Sequence, residues 1–163
     1  MLPRFSSLVL SLWLTIALVR ADLEVYTDTA LASGWENWSW STTINPAATD
    51  IFEGTSSLSV TSDAWAAFSL KLEGVIGNSY AGFRFDISGA NPPIQFYLQS
   101  TVSGGQSVTV PLSALTTTVT TTGWTTVTIN FSNLPGGSAL PVDSWDRLNF
   151  QALGDGATVS FYF

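Results

Sequence analysis

The run Ile94-Gln95-Phe96-Tyr97-Leu98-Gln99 alternates apolar and hydrogen-bonding side chains at every step. A period of two belongs to a strand with one face in a core and the other in contact with solvent. Phe83-Arg84-Phe85-Asp86-Ile87 and Leu148-Asn149-Phe150-Gln151-Ala152 repeat the pattern. Outward from these runs, the spacing predicts strands over 23–27, 36–43, 56–61, 65–72, 79–87, 94–100, 106–112, 124–131, 147–152 and 157–163, with no stretch of helical period. Gly74, Gly77-Asn78, Gly89 to Pro93, Gly104-Gly105, Pro135-Gly136-Gly137 and Gly154-Asp155-Gly156 mark the reversals between them. Short strands at this spacing predict an all-β chain folded as an antiparallel β-sandwich, or jelly roll. The Thr-rich stretch 116–126 suits an edge strand or an O-glycosylated loop.

If the alternating strands are neighbours in one sheet, their polar faces combine Arg84, Asp86, Gln95, Tyr97, Gln99, Asn149 and Gln151. Planar amides and bidentate groups suit vicinal hydroxyls, which donate and accept together. The plainer reading is a wet sheet face; the choice of Gln, Asn, Tyr, Arg and Asp over Lys, Glu and Thr favours a groove for sugar.

Six of the seven tryptophans lie beyond Ala21, three of them in Gly34-Trp35-Glu36-Asn37-Trp38-Ser39-Trp40. In a strand Trp38 and Trp40 share a face, so they either fill the sandwich or form an aromatic shelf. Trp38, Trp40 and Trp65 are the candidate stacking rings. Trp35 and Trp124 are expected in the core, and Trp145 is a loop contact or a lid on it. Asn37-Trp38-Ser39 and Asn130-Phe131-Ser132 would accept N-glycans in a eukaryote, at Asn37 and Asn130.

Residues 1–21 read as a secretory signal peptide: a cationic start, an apolar centre from Phe5 to Val19 and small residues at the cut after Ala21. Residues 22–163 are then one β-sandwich domain, secreted and extracellular, with no membrane span after cleavage. Beyond Ala21 the twelve acidic residues face three basic ones, Lys71, Arg84 and Arg147, a net of −9. Such a surface disfavours nucleic acid and acidic polymers as partners. With no cysteine, the apolar core alone must hold the fold.

Several stretches together resemble the jelly-roll carbohydrate-binding modules of the galactose-binding-like type found on secreted polysaccharide-active proteins. They are Val25-Tyr26-Thr27-Asp28, the run from Ala30 to Trp40, Glu53-Gly54-Thr55-Ser56-Ser57-Leu58-Ser59-Val60, Ala64-Trp65-Ala66-Ala67-Phe68 and Asp146-Arg147-Leu148-Asn149-Phe150-Gln151. The resemblance implies a non-catalytic glycan-binding sandwich, often with one structural calcium ion, for which Asp28 and Glu53 are the positions to inspect. It departs from such modules at the end, where Val159-Ser160-Phe161-Tyr162-Phe163 carries no closing aspartate.

Catalysis has little to work with. Without histidine or cysteine there is no Ser-His-Asp relay, His-based zinc site or thiol nucleophile. Glu36, Glu53, Asp63, Glu73 and Asp86 could supply a glycosidase pair only if two were held about 5–5.5 or 6.5–9.5 Å apart. A jelly-roll polysaccharide lyase could use Tyr97 with Arg84 and Gln95. A third class is a structural wall or surface protein that adheres without a sugar pocket, compatible with a charged fraction of 10%. The expectation is a monomer that binds neutral, glucan-like cell-wall polysaccharide, requires no cofactor and uses Trp stacking with Gln, Asn, Arg and Asp hydrogen bonds.

Overall fold

A computed structural model describes residues 23–77, 80–88, 93–119, 123–131, 134, 144–154 and 158–163. The leader at 1–21 and the turns at 89–92, 135–137 and 155–156 lie outside the described residues. Twelve strands are described: β1 Tyr26–Thr27, β2 Ala30–Leu31, β3 Trp35–Asn37, β4 Trp40–Ala48, β5 Ser57–Gly77, β6 Gly82–Ser88, β7 Ile94–Gln99, β8 Val110–Pro111, β9 Thr116–Val119, β10 Trp124–Asn130, β11 Ser144–Ala152 and β12 Val159–Tyr162. A 3-10 turn, Leu112–Ala114, follows β8.

The β1–β2 hairpin stands alone, and the other strands form one path, β8-β7-β11-β5-β12-β6-β10-β9, with β3 and β4 also on β5. Every pairing among the described strands is antiparallel, as expected for an antiparallel sandwich. The two predicted strands 56–61 and 65–72 are halves of β5. The first half, Ser59 to Ser62, pairs with β12, and the second, Ala67 to Lys71, pairs with β11. Between them the chain turns a corner, and Trp65 there takes φ +62. A left-handed conformation costs an L-residue about 1–2 kcal/mol. Bends of this kind let one strand serve two layers.

Apolar members of the alternating strands meet between the layers. Phe85 of β6 lies edge-on to Phe150 of β11 at 5.1 Å, and Phe83 stacks on Phe96 of β7 at 6.2 Å. Trp35, Trp124 and Trp145 are buried with them, as expected for the first two. Trp145 is a core residue in β11, edge-on to Phe131 at 5.6 Å, rather than a loop contact. The Thr-rich stretch contributes β9 at the edge of the path. The predicted strand 106–112 reduces to β8 and one bridge from Gln106 to Gln99.

Asp28 fastens the β1–β2 turn to the next loop. Its carboxylate accepts hydrogen bonds from the Thr55 amide at 2.9 Å, the Thr55 hydroxyl at 2.7 Å and the Ser56 amide at 3.4 Å. A Cβ on Gly54 (φ +81) would fall 2.0 Å from Asp28 Oδ1, so only glycine fits there. The side-chain and backbone bonds from Thr55 hold the Asp28 pKa below its usual value. A carboxyl depressed on folding contributes stability above its unfolded pKa, about 3.9, and that contribution disappears as pH falls through the folded value. Asp28→Asn should therefore flatten the loss of melting temperature below about pH 4. An acid limb identical to that of the parent in melts from pH 7 to 2 would contradict this.

Candidate functional site

Register across four strands builds the exposed face of the β7-β11-β5 layer. Three transverse rows follow from the Cα partners: Gln99–Arg147–Lys71–Glu36, then Tyr97–Asn149–Ser69, then Gln95–Gln151–Ala67–Trp40. Trp38 joins the middle row, its amide donating to the Ser69 carbonyl at 2.8 Å. Because side chains alternate, every one of these residues is on the side opposite Phe96, Phe150 and Leu70.

The three candidate tryptophans come together here and are the most exposed of the described indoles: Trp38 at 43%, Trp40 at 36% and Trp65 at 58%. Each is held. Trp38 Nε1 donates to Glu36 Oε2 at 2.7 Å, and Trp40 Nε1 donates to the Trp65 carbonyl at 3.1 Å. That same carbonyl accepts from Gln151 Nε2 at 3.0 Å, and Gln95 Nε2 donates to Gln151 Oε1 at 3.0 Å. The left-handed corner at Trp65 thus ties two rings to two amides. The Trp65 ring also packs against Gly154, where a Cβ would fall 1.7 Å from ring atom Cε2.

Arg147 occupies the centre. Its Nε donates to Ser69 Oγ at 2.6 Å and its Nη2 to the Trp38 carbonyl at 3.4 Å. Its Cζ is 5.4 Å from the Trp38 ring centre and 5.5 Å from that of Trp40, while Lys71 Nζ is 4.9 Å from Trp38. Cations over indole faces are attracted by the ring quadrupole. Burial pulls the Arg147 pKa down, opposed by Tyr97 and Asp146, but a guanidinium remains charged. The local charge is thus opposite in sign to that of the chain: two of the three cations beyond Ala21 stand on this face.

Several sequence expectations need correction. Arg84 and Asp86 are on β6 in the other layer, opposite Thr128 and Thr126 of β10, with Asp86 accepting from the Thr126 hydroxyl. They share a face with each other but not with the amides, because β6 pairs with β10 whereas β7 pairs with β11. Tyr97 and Asn149 lie in the middle row and are covered, at 6% and 0% exposure. Asn149 instead braces the row, accepting from Ser69 Oγ at 2.8 Å and donating to the Tyr97 carbonyl at 3.5 Å. Gln95, Gln99 and Gln151 are half-buried at the surface. The sequence reading does not place Arg147, Lys71 or Ser69 in the site, and it offers Glu36 only as a possible glycosidase carboxylate. Arg147 had a visible signal, since it shares the parity of Asn149 and Gln151.

Asn37 is exposed and is the Cα partner of Leu70, so its parity opposes that of Trp38; its Oδ1 accepts from the Ser39 amide at 3.0 Å. Asn130 is exposed at the end of β10, and Ser132 lies outside the described residues. The Asp28 carboxylate is already engaged by the Thr55 amide and hydroxyl and by the Ser56 amide, so a calcium ion bound there would have to displace those donors. Glu53 is in the adjacent loop, and among the described residues no group of three carboxylates forms. EDTA should leave the melting temperature unchanged; a fall of several degrees reversed by calcium would contradict this.

No protein-family model matches the chain, and no curated protein matches it in sequence. Solved structures do match in fold. One is a family 29 carbohydrate-binding module variant complexed with mannohexaose, with TM-score 0.56, 18% identity and 88% of each chain covered. Another variant, complexed with cellulohexaose, gives 0.55 at 16% identity, covering 86% of this chain and 84% of the other. A further family 29 module gives 0.54 at 16% identity, covering 85% and 80%. The chain is similar to these modules in its β-sandwich, across most of its length.

Proposed function

We propose that the face carrying Trp38, Trp40, Trp65, Arg147, Gln95 and Gln151 binds a neutral polysaccharide chain without altering it. The observation that carries this reading is three exposed indoles held in place on one layer, beside surface amides. Indole offers CH groups of a pyranose a flat apolar surface, and the amides and guanidinium suit its hydroxyls. Fixing the rings in advance lowers the entropic cost of binding. The fold-related modules in complex with mannohexaose and cellulohexaose support uncharged hexose polymers as the ligand class. In this reading the protein is exported, acts as a monomer and requires no cofactor.

Binding is favoured over catalysis by the chemistry present. Tyr97 is buried, its pKa pushed up by burial with Arg147 opposing, which makes it a poor base. Arg84 is on the other layer and cannot join it. Glu36 is the carboxylate in the rows described, and it is engaged by Trp38 Nε1.

Retention of the protein on insoluble cellulose and mannan, with release by soluble competitor, tests the reading. Adsorption that no sugar reverses would favour a structural adhesive instead, and release of an unsaturated product would indicate a lyase. Gly154→Ala is a sharper probe. The added methyl must push the Trp65 ring aside, so affinity should fall about tenfold, roughly 1.4 kcal/mol, with the melting temperature nearly unchanged because both residues are exposed. Unchanged affinity would remove Trp65 from the site.

A further inference from the structure

The middle row of the indole face carries three buried residues with polar side chains. Ser69 and Asn149 are each 0% exposed and Tyr97 is 6% exposed. They are Cα partners across β5, β11 and β7. A buried polar group is costly unless it is paired, and the bonds in this row can run in one direction only. At one end stands the Arg147 guanidinium, a pure donor, whose Nε gives its hydrogen to Ser69 Oγ at 2.6 Å. At the other end stands the Tyr97 backbone carbonyl, a pure acceptor, which takes a hydrogen from Asn149 Nδ2 at 3.5 Å. That contact orients the Asn149 amide, so its Oδ1 faces Ser69. The single Ser69 hydroxyl proton then goes to Asn149 Oδ1 at 2.8 Å, which leaves the lone pairs of Oγ to Arg147.

Ser69 also fixes the strand that bears the indoles. Its carbonyl accepts from the Trp38 amide at 2.8 Å, and its amide donates to Ser39 Oγ at 3.0 Å. With its backbone it therefore holds the chain between Trp38 and Trp40, and with its side chain it holds Arg147. The guanidinium carbon, so held, is 5.4 Å from the Trp38 ring centre and 5.5 Å from that of Trp40. A long side chain left free to rotate would have to be ordered on binding, at a cost in entropy.

We propose that Asn149 and Ser69 are positioning residues for glycan binding: they touch no sugar and act by orienting Arg147 against the two indoles. This rests on the reading that the indole face binds polysaccharide. The competing role is packing alone, in which the row joins β5, β11 and β7 and affects only stability.

The test joins a measurement without ligand to one with ligand, both on the full-length chain. Exchange of the Arg147 Nε hydrogen, assigned by its loss in Arg147→Lys, is followed by proton–nitrogen NMR. It should be about tenfold faster in Ser69→Ala and in Asn149→Leu than in the parent. Ser69→Ala removes one oxygen from a small side chain, so it carries the test if Asn149→Leu fails to fold. Affinities for mannohexaose and cellulohexaose are then compared among the parent, Ser69→Ala, Arg147→Ala and the double variant. Ser69→Ala should weaken binding about fivefold in the parent, and no further once Arg147 is alanine, because its effect passes through that side chain. Unchanged exchange in Ser69→Ala, or a loss of affinity that adds in full to that of Arg147→Ala, would overturn the proposal and leave the row a packing feature. If neither sugar binds the parent, the functional reading fails, and the exchange rates alone decide whether the pair holds Arg147.

Discussion

Phe150→Ala lowers stability by about 3–5 kcal/mol, the range for deleting a large buried aromatic, and lowers the melting temperature by roughly 10–20 °C. Phe150 is 1% exposed, and its ring centre lies within 5.4 Å of Phe85, Phe96 and Phe163, at 5.1, 5.3 and 4.9 Å. Those three rings come from β6 in one layer, from β7 in the other and from the end of β12, so this ring joins the layers. Truncation opens a cavity that neighbours on two sheets cannot close together. Thermal melts and denaturant titrations read the effect, and a loss below about 1 kcal/mol would mean that the layers do not close on this ring. Since the chain has no disulfide to restrain its unfolded state, the whole loss should appear in the melt.

Trp40→Ala weakens glycan binding by about 1–3 kcal/mol, or roughly tenfold to more than a hundredfold, by analogy with bases stacked on aromatic side chains. The change removes an exposed ring and also releases the Trp65 carbonyl from one of its two donors. The fold should survive, because the ring makes no part of the core. Trp38→Ala belongs to the same range, and it additionally frees Lys71 and Arg147 from the indole they lie against. If either variant unfolds, the ring is structural and the proposed site is wrong. Gln95→Ala and Gln151→Ala should change sugar preference with smaller losses, since each removes one amide of a linked pair.

The physics of period two explains which parts were legible in the sequence. In 94–99 and 148–152 each residue's face follows from its parity, and the structure places Gln95, Tyr97, Gln99, Asn149 and Gln151 on one side as the alternation required. Parity says nothing about which strands are neighbours. Arg84 and Asp86 alternate just as cleanly, yet β6 pairs with β10 and not with β7. Depth within a face is also invisible from one strand alone. Tyr97 and Asn149 are on the polar side but buried, and Arg147 lies against this row through Ser69. Trp65 stands at the corner in β5, and a tryptophan in left-handed conformation leaves no compositional mark. Gly154 is legible only in hindsight: in the chain it reads as part of a turn, and in space it is the bare backbone on which Trp65 rests.

The local cations temper the argument from net charge. An overall excess of acid favours uncharged ligands, but Lys71 and Arg147 beside Trp38 make this face less repellent to carboxylates than the rest of the surface. Both side chains are already engaged with indole or Ser69, so they are better suited to hydroxyl oxygens than to a full charge.

Titration with mannohexaose and cellulohexaose, followed by intrinsic tryptophan fluorescence, tests the indole face most directly. The account predicts a saturable spectral change with at least one of the two sugars, lost in Trp40→Ala and retained in Arg84→Ala, whose guanidinium is on the other layer. No change with either sugar, or a response that survives Trp40→Ala and disappears with Arg84→Ala, would contradict it.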